Sequence, residues 1–222
     1  MRTTNELTDA VQDYLKAIYA LELAGERVTT SALASRMGVS APSATAMTKR
    51  LDELALVERA PYRGVALTDE GRRCALEVLR HHRLLERFLA DKLGLALDEV
   101  HAEADRLEHA LSEELEAKID AELGYPTHDP HGDPIPDAEL RVDLALGRTL
   151  VDLEPGQRAF VSRVPDGDPD LLRYLTELGL VPGSDVEVLA LAPFAGPVTV
   201  RTSTGNHPIS RELADRVGAV AA

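Results

Sequence analysis

The chain has 222 residues, of which 44% are hydrophobic and 28% are charged, a composition typical of a globular protein with a buried core. It contains 38 Asp and Glu against 24 Lys and Arg, which gives a formal net charge of −14. The single cysteine, Cys74, excludes a disulfide framework within one chain. No apolar run has the length of a membrane span, and the N-terminus lacks the pattern of a signal peptide. We therefore expect a cytoplasmic protein that makes no membrane contact.

The negative charge is concentrated in the second part of the chain. Residues 1–73 contain 10 basic and 10 acidic side chains and are neutral, whereas the remaining residues carry the whole negative excess. Because an acidic surface repels the phosphate backbone, only the neutral N-terminal part is suited to contact nucleic acid. The acidic part is suited to a bound cation.

Helical periodicity and capping residues predict three helices at the N-terminus. An apolar stripe predicts the first from about Asp9 to Ala24, where Gly25 ends it. The second is predicted over residues 31–37 after the N-cap Thr30, and the third runs from the N-cap Ser40 to about residue 54. The short turn between the second and third helices is typical of a helix-turn-helix.

Two strands, at 56–59 and 65–67, are predicted to follow and to form a wing around the turn 60–64. The whole segment therefore predicts a winged helix-turn-helix that binds DNA, although a three-helix unit for protein contacts is the alternative. Small and hydroxyl side chains at the start of the third helix allow close approach to DNA, and basic side chains neutralise phosphates. The candidate DNA-binding residues are Ser40, Pro42, Ser43, Thr45, Lys49, Arg50, Arg59 and Arg63.

Two long helices are predicted next, from Thr68 to Lys92 and from Leu97 to Leu123. Four ionisable residues of the second helix share an arc of about 100° at the margin of its apolar face. These are His101, Asp105, Glu108 and His109. On the preceding helix, His82 and Glu86 are one turn apart beside leucines. Because unpaired burial of such groups is costly, a shared divalent cation is indicated, and a solvated flank of His–Glu pairs is the alternative.

The C-terminal third has a different character. Prolines and glycines between Gly124 and Gly147 predict a linker or an ordered loop. Short strands then predict a small β-barrel with one helix at about Pro169 to Leu178. The predicted fold is mainly α with a small β domain. Its predicted domains are residues 1–73, 74–147 and 148–222.

The sequence resembles the diphtheria toxin repressor family of metal-dependent transcriptional regulators over nearly its whole length. The segments that carry the resemblance are DYLKAIYALE (13–22), VSAPSATAMTKRLDELALV (39–57), HHRLLERFL (81–89), VHAEADRLEHALSEELE (100–116) and DPHGDPIPD (129–137). The resemblance implies a homodimer with winged helices, a helical dimerisation domain and a C-terminal SH3-like barrel similar to ferrous-transport accessory domains. It implies a repressor that binds double-stranded operator DNA, as an inverted repeat, when a divalent metal is bound.

The resemblance also implies two metal sites. The first would use Asp13, Asp105, Glu108 and His109. The second would use His82, Glu86 and His101. The C-terminal domain would complete the second site, and Asp168 stands at one of the family's ligand positions there. Asp168 followed by Pro169 is also typical of a helix N-cap, which is the favoured interpretation, and the ligand role stays open.

The metal is indicated by two of these positions. Iron-type members of the family have Met and Cys where this chain has Asp13 and Asp105. Manganese is a hard ion that prefers oxygen, so we expect Mn(II), with Fe(II) as the alternative. Manganese-type members without the barrel can have Glu at the position of Lys16. The bound metal would fix the DNA-reading domain, whereas without it the clustered carboxylates are expected to repel one another.

Two other classes of protein are alternatives to the regulator. A di-metal carboxylate oxidase uses the motif Glu-x-x-His on paired helices, and in this chain only residues 105–109 come close to that motif. This class also leaves the winged helix unexplained. A metal-free regulator that senses a small molecule is the second alternative. We therefore expect a protein that is not an enzyme.

Overall fold

A computed structural model describes residues 7–60, 64–143 and 147–221. The chain divides into two compact units, each made of three segments. The first unit comprises Met1–His82, Arg106–Lys118 and Pro136–Arg141. The second comprises Arg83–Asp105, Ile119–Ile135 and Val142–Ala222. Among the described residues, no helix has both the length and the apolar character needed to cross a membrane.

The first unit begins with the three predicted helices. They are α1 (Asp9–Leu23), α2 (Thr30–Arg36) and α3 (Ala41–Glu53). The Ser40 hydroxyl accepts a hydrogen bond from the Ser43 backbone N–H, which confirms Ser40 as the N-cap of α3. The predicted cap of α2 is wrong by one residue, because the hydroxyl of Thr29 rather than Thr30 accepts from Ala32 N. Two adjacent threonines are equally good caps in sequence, and only the backbone conformation distinguishes them.

The predicted wing is present as the antiparallel strands β1 (Val57–Ala60) and β2 (Gly64–Leu67). It is anchored to α1 through Glu22, whose carboxylate accepts a hydrogen bond from Leu67 N at 2.9 Å. The wing turn at 61–63 lies outside the described residues, and so does the predicted DNA contact Arg63.

The long helix α4 (Asp69–Leu93) follows the wing, and the Thr68 hydroxyl caps it by accepting from Gly71 N at 3.0 Å. The predicted single helix from 97 to 123 is wrong. The structure has α5 (Val100–Leu107), a 3₁₀ turn (Glu108–Ala110) and α6 (Glu113–Glu122). The Ser112 hydroxyl accepts from Leu115 N and starts α6 as a new helix. Glu108 and His109 therefore lie on the tighter turn rather than on one regular helix with His101.

The Pro-rich segment is an ordered loop over residues 124–143, while 144–146 lie outside the described residues. A bridge joins His128 to Pro134 in this loop. The Asp129 carboxylate accepts hydrogen bonds from the backbone N–H groups of His131 and Asp133, both at 2.9 Å. The Asp129 side chain therefore stabilises the conformation of the loop through hydrogen bonds to its backbone.

The C-terminal domain is built on a six-stranded antiparallel sheet. Its strands are β3 (Arg148–Thr149), β4 (Arg158–Arg163), β5 (Asp185–Leu191), β6 (Val198–Thr202), β7 (Gly205–Ile209) and β8 (Gly218–Ala221). The strand order is β3-β8-β4-β5-β6-β7, and the end strands do not pair with each other in the described residues, so the sheet is open. The helices α7 (Pro169–Glu177) and α8 (Arg211–Arg216) complete the domain. The predicted small β domain is thus present, although β3, β7, β8 and α8 were not predicted because their apolar patterns are short.

Gly71 offers a test of how α4 is joined to the wing. A Cβ atom at this position would lie 1.8 Å from the Leu56 carbonyl oxygen, so alanine forces the backbone apart. We expect Gly71→Ala to reduce the free energy of unfolding by about 1–3 kcal/mol in urea denaturation. Gly167→Ala is the control, because nothing lies within 4 Å of its Cβ position. Equal stabilities of the two variants would contradict the close contact.

Candidate metal centre

The first cluster consists of Asp13, Glu108 and His109, all in the first unit. Asp13 comes from α1, and the other two come from the 3₁₀ turn. His109 Nε2 lies 2.9 Å from Asp13 Oδ1 and 3.6 Å from Glu108 Oε1. One ligand atom from each residue lies within 4.8 Å of the others, so the three groups surround a space that one metal ion can fill.

The Glu108 carboxylate is completely buried and has two partners in the same unit. Lys16 Nζ donates to both carboxylate oxygens, at 2.6 and 2.9 Å, and His82 Nδ1 lies 2.5 Å from Oε2. The expected repulsion between the carboxylates is therefore offset by groups of the protein itself. Burial raises the pKa of Asp13, and the nearby His109 and Lys16 oppose that rise.

Gln12 determines how His109 faces the cluster. Its side-chain nitrogen donates to the Leu7 carbonyl at 3.2 Å, so its Oε1 must accept from His109 Nδ1, which lies 2.8 Å away. With Nδ1 used as a donor, Nε2 is the atom directed at Asp13. Gln12 is only 2% exposed, and this hydrogen bond sets the tautomer that a metal-ligating imidazole requires.

The second cluster consists of Glu86, Asp129 and His131, all buried in the second unit. His131 Nε2 donates to the Leu97 carbonyl at 3.0 Å, which leaves Nδ1 directed towards Glu86 Oε2 at 3.8 Å. Within the described ranges, neither His131 Nδ1 nor Asp129 Oδ2 forms a hydrogen bond. Buried polar atoms of this kind could coordinate a metal ion.

The charges of the second cluster lead to the same conclusion. Burial, together with Glu86 and Asp133, raises the pKa of Asp129 to about 8. Burial opposes a charged His131, but the carboxylates of Glu86 and Asp129 prevail and raise its pKa to about 9. The cluster therefore retains protons that an exposed site would release, and a divalent cation would supply the same positive charge.

The loop that carries Asp129 and His131 is joined to the C-terminal sheet. Val164 N donates to the His131 carbonyl at 2.9 Å. Gly132 has a φ of +92°, and a Cβ atom there would lie 1.9 Å from the Ser162 carbonyl oxygen, so only glycine allows this approach. The position of His131 thus depends on β4.

The predicted ligands are distributed over both units. His82 contacts Glu108 in the first unit, and its predicted grouping with Glu86 and His101 stays a prediction. In the second unit, His101 Nδ1 lies 3.0 Å from Glu86 Oε1, and the exposed Asp105 lies 3.7 Å from His101 Nε2. The membership of Asp105 in the first site also stays a prediction.

Asp168 acts as a helix cap in the structure, because its carboxylate accepts from Asp170 N and Leu171 N at the start of α7. Sequence reasoning did not select Asp129 or His131 as ligands. The available signal was three ligand-type side chains within five residues around Gly132. Gln12 gave no signal, because an amide is not itself expected in a metal cluster.

A third group, His81, Glu113 and Glu116, also has ligand-type side chains close together. Arg80 Nε lies 2.6 Å from Glu116 Oε1, and His81 Nε2 lies 2.8 Å from Glu116 Oε2. The guanidinium of Arg80 already supplies the positive charge that a metal ion would bring. Arg80, His81 and Glu116 are therefore better explained as a buried ion-pair network, with the exposed Glu113 at its edge.

The predicted DNA-binding residues that the structure describes form an exposed surface at α3 and β1. They are Ser40, Pro42, Ser43, Thr45, Lys49, Arg50 and Arg59. The hydroxyls of Ser40 and Ser43 lie 2.8 Å apart, and Thr45 donates its hydroxyl to the Ala41 carbonyl. Lys49 makes a long, exposed ion pair with Glu53 at 3.5 Å, which leaves it able to turn towards a phosphate.

The two clusters fit a divalent metal. Both combine carboxylate oxygens with imidazole nitrogens, contain no sulfur, and are suited to Mn²⁺ or Fe²⁺. A winged helix-turn-helix in the same compact unit as the first cluster defines the class: a DNA-binding regulator that responds to a metal ion.

Comparison with protein families identifies the kind of regulator. The chain belongs to the iron-dependent repressor family, which includes the diphtheria toxin repressor. The N-terminal DNA-binding domain of the family matches residues 6–65, and its metal-binding and dimerisation domain matches residues 68–137. A FeoA domain matches residues 148–219. This is a family of transcriptional repressors, and its domains indicate DNA and a second copy of the chain as partners.

Individual relatives agree with this assignment. The iron-dependent repressor IdeR of Mycobacterium tuberculosis (strain ATCC 25618 / H37Rv) is 36% identical over 96% of this chain and 97% of its own length. A solved structure described as a manganese-dependent transcriptional repressor in complex with manganese is 42% identical, with a TM-score of 0.85 over 96% of this chain and all of that chain. The manganese regulator SloR is 31% identical, with a TM-score of 0.79 over 96% of this chain and 98% of its own. These relatives include both iron-dependent and manganese-dependent regulators.

The hydrogen bonds of Gln12 provide a test of the first cluster. Gln12→Leu keeps the size of the side chain but removes the acceptor for His109 Nδ1. We expect the affinity for Mn²⁺ to fall by roughly 10- to 100-fold, measured by isothermal titration calorimetry. Gln12→Glu retains an acceptor and is expected to lose less affinity. Equal affinities of the wild type and the leucine variant would show that Gln12 does not orient His109.

The protons held by the second cluster provide a test based on pH. Asp129 has a pKa of about 8 in the folded chain against its usual value of 3.8, so unfolding releases a proton over that range. His131 acts with the same sign between its usual value of 6.5 and about 9. In EDTA, the Tm should therefore fall from pH 6 to pH 9.

The control variants for this pH test are Asp129→Asn and Asp137→Asn. The first should flatten the dependence of Tm on pH in scanning calorimetry. The second should keep the wild-type slope, because Asp137 is exposed and its pKa is lowered. A Tm that stays constant or rises from pH 6 to pH 9 in the wild type would contradict proton retention by the second cluster.

Proposed function

We propose that this protein is a Mn(II)-dependent transcriptional repressor that binds double-stranded operator DNA as a homodimer. The first cluster carries this proposal, because it joins a residue of the DNA-binding domain, Asp13, to Glu108 and His109 of the metal-binding and dimerisation domain. Fe(II) is the alternative metal. A DNA-binding repressor acts beside the chromosome, so we also propose a cytoplasmic location.

The choice of manganese is supported by the chemistry of the side chains. Asp13 offers a carboxylate oxygen, and the cluster has no thioether or thiolate that would favour a softer ion. The manganese-dependent repressor is also among the similar structures, at 42% identity. An iron-dependent relative is similar over the same share of this chain, which makes Fe(II) the alternative metal.

The mechanism uses the position of Asp13 on α1. This helix packs against α2 and β2, and α2 packs against α3, so the orientation of α1 determines that of the DNA-reading helix. When bound, a divalent cation would supply the positive charge that holds the carboxylates of Asp13 and Glu108 beside His109. Gln12 holds His109 in the tautomer that presents Nε2. These side chains then restrict α1 to one orientation, which favours the DNA-binding conformation by population shift.

We propose further ligands as extensions of these clusters. As the family resemblance implies, Asp105 would contribute to the first site and His82 to the second. Glu86 and His101 would form the second site with His131 and Asp129, whose buried atoms without hydrogen bonds support their addition. A two-fold homodimer favours an inverted repeat as its operator. We retain the proposed domains 1–73, 74–147 and 148–222.

The experiment that tests this function uses DNA selected from a random-sequence pool by the Mn²⁺-loaded protein. Wild-type protein should shift the selected DNA with Mn²⁺ and lose binding in EDTA. Asp13→Ala should lose at least tenfold in Mn²⁺-dependent affinity while its dimer, measured by analytical ultracentrifugation, stays intact. Asp9→Ala is the matched control, since Asp9 is an exposed aspartate one turn earlier on α1.

The same assay distinguishes the alternatives. DNA binding that is activated at a lower free concentration of Fe²⁺ than of Mn²⁺ would favour an iron-dependent repressor. DNA binding that is unaffected by EDTA would favour a metal-free regulator and overturn the proposal. Consumption of dioxygen by the Fe²⁺-loaded protein would favour the di-metal oxidase.

A further inference from the structure

Lys16 occupies an unusual position for a basic side chain. It lies on α1 close to Asp13, and its ammonium is bound by both oxygens of Glu108, at 2.6 and 2.9 Å. The Glu108 side chain has 0% exposure, and that of Lys16 has 22%. A positive charge is therefore placed directly on the carboxylate that the first cluster would use for a metal ion.

Both carboxylate oxygens of Glu108 already contact protein groups. Oε2 also accepts from His82 Nδ1, and Oε1 lies 3.6 Å from His109 Nε2. A divalent ion that binds this carboxylate would lie within a few ångströms of the Lys16 ammonium, and two like charges repel strongly in a buried environment. The ammonium and the metal ion therefore compete for Glu108.

Lys16 is able to leave this position. Its ammonium is at the end of a flexible four-carbon chain, and the side chain already has a path to solvent. Glu108 has no such freedom, since it is fully buried on the 3₁₀ turn. A metal ion could therefore replace the ammonium at Glu108 if the Lys16 side chain moves while Glu108 stays in place.

We propose that Lys16 is a resident cation of the first cluster: it neutralises Glu108 in the metal-free protein, and a divalent ion must displace it. Lys16 thereby sets the free metal concentration at which the protein binds DNA. This inference rests on the proposed function for its biological meaning, but it concerns metal binding and is tested without DNA.

The first experiment compares the metal affinities of matched variants. Lys16→Met keeps the length of the side chain and removes the charge. Its half-saturating Mn²⁺ concentration, measured by electron paramagnetic resonance of the free ion at constant ionic strength, should be at least tenfold lower than that of the wild type. Lys118→Met is the control for loss of one positive charge, because Lys118 is exposed and pairs with the exposed Glu114. It should change the affinity by less than twofold.

A second measurement follows Lys16 directly. In protein with ¹⁵Nζ-labelled lysine, the ammonium of Lys16 should give a slowly exchanging signal in EDTA, which is assigned by its absence in Lys16→Arg. Saturation with Zn²⁺, a diamagnetic ion, should remove this signal as the ammonium moves into solvent. The Tm of Lys16→Met should also be lowered in EDTA and restored to the wild-type value by saturating Mn²⁺.

Three results would overturn the inference. They are equal Mn²⁺ affinities of wild type and Lys16→Met, persistence of the Lys16 signal with saturating Zn²⁺, or a wild type that binds neither ion. Failure of the proposed function is separate. It would show as DNA binding that does not depend on metal, even if Lys16 is displaced as expected.

Discussion

The first cluster depends on one constraint, which is the burial of the Glu108 carboxylate. An anion with 0% exposure requires compensating charge or hydrogen bonds, and Lys16 and His82 provide both. The same anion lies beside Asp13 and His109, which supply the remaining ligand atoms. Local stability and the proposed metal binding therefore depend on a single buried carboxylate, so a cation that binds it would affect how α1 is held.

The buried carboxylates of the second cluster also require compensating positive charge. Here the raised pKa values of Asp129 and His131 favour bound protons, which reduce the excess negative charge around Glu86. Arg83 approaches Asp129 only to 3.6 Å. The two clusters thus differ in what a bound metal ion would replace, which is an ammonium in the first cluster and protons in the second. Their responses to pH should differ for this reason.

The elements that depend on local sequence were predictable. Ser40 and Thr68 cap the predicted helices, and the wing follows in its expected place because these features depend on neighbouring residues. The break at Ser112 was missed, since the apolar periodicity continues through the 3₁₀ turn. His131 and Lys16 were not recognised as parts of a cluster, because their roles arise from contacts with residues far away in sequence. The sequence shows that Asp13, Glu108 and His109 are ligand-type residues, but it does not show that the Lys16 ammonium pairs with Glu108.

The attachment of the His131 loop to β4 has a consequence for the evolution of such chains. Val164 and Ser162 of this sheet domain hold the backbone around Gly132, whereas every side chain of the first cluster comes from residues before 110. A gene shortened before the C-terminal domain would keep the first set of ligands and lose the support of the second. The two proposed ion sites could therefore be inherited separately, and gain or loss of the C-terminal domain would change the number of ions that one subunit is proposed to hold.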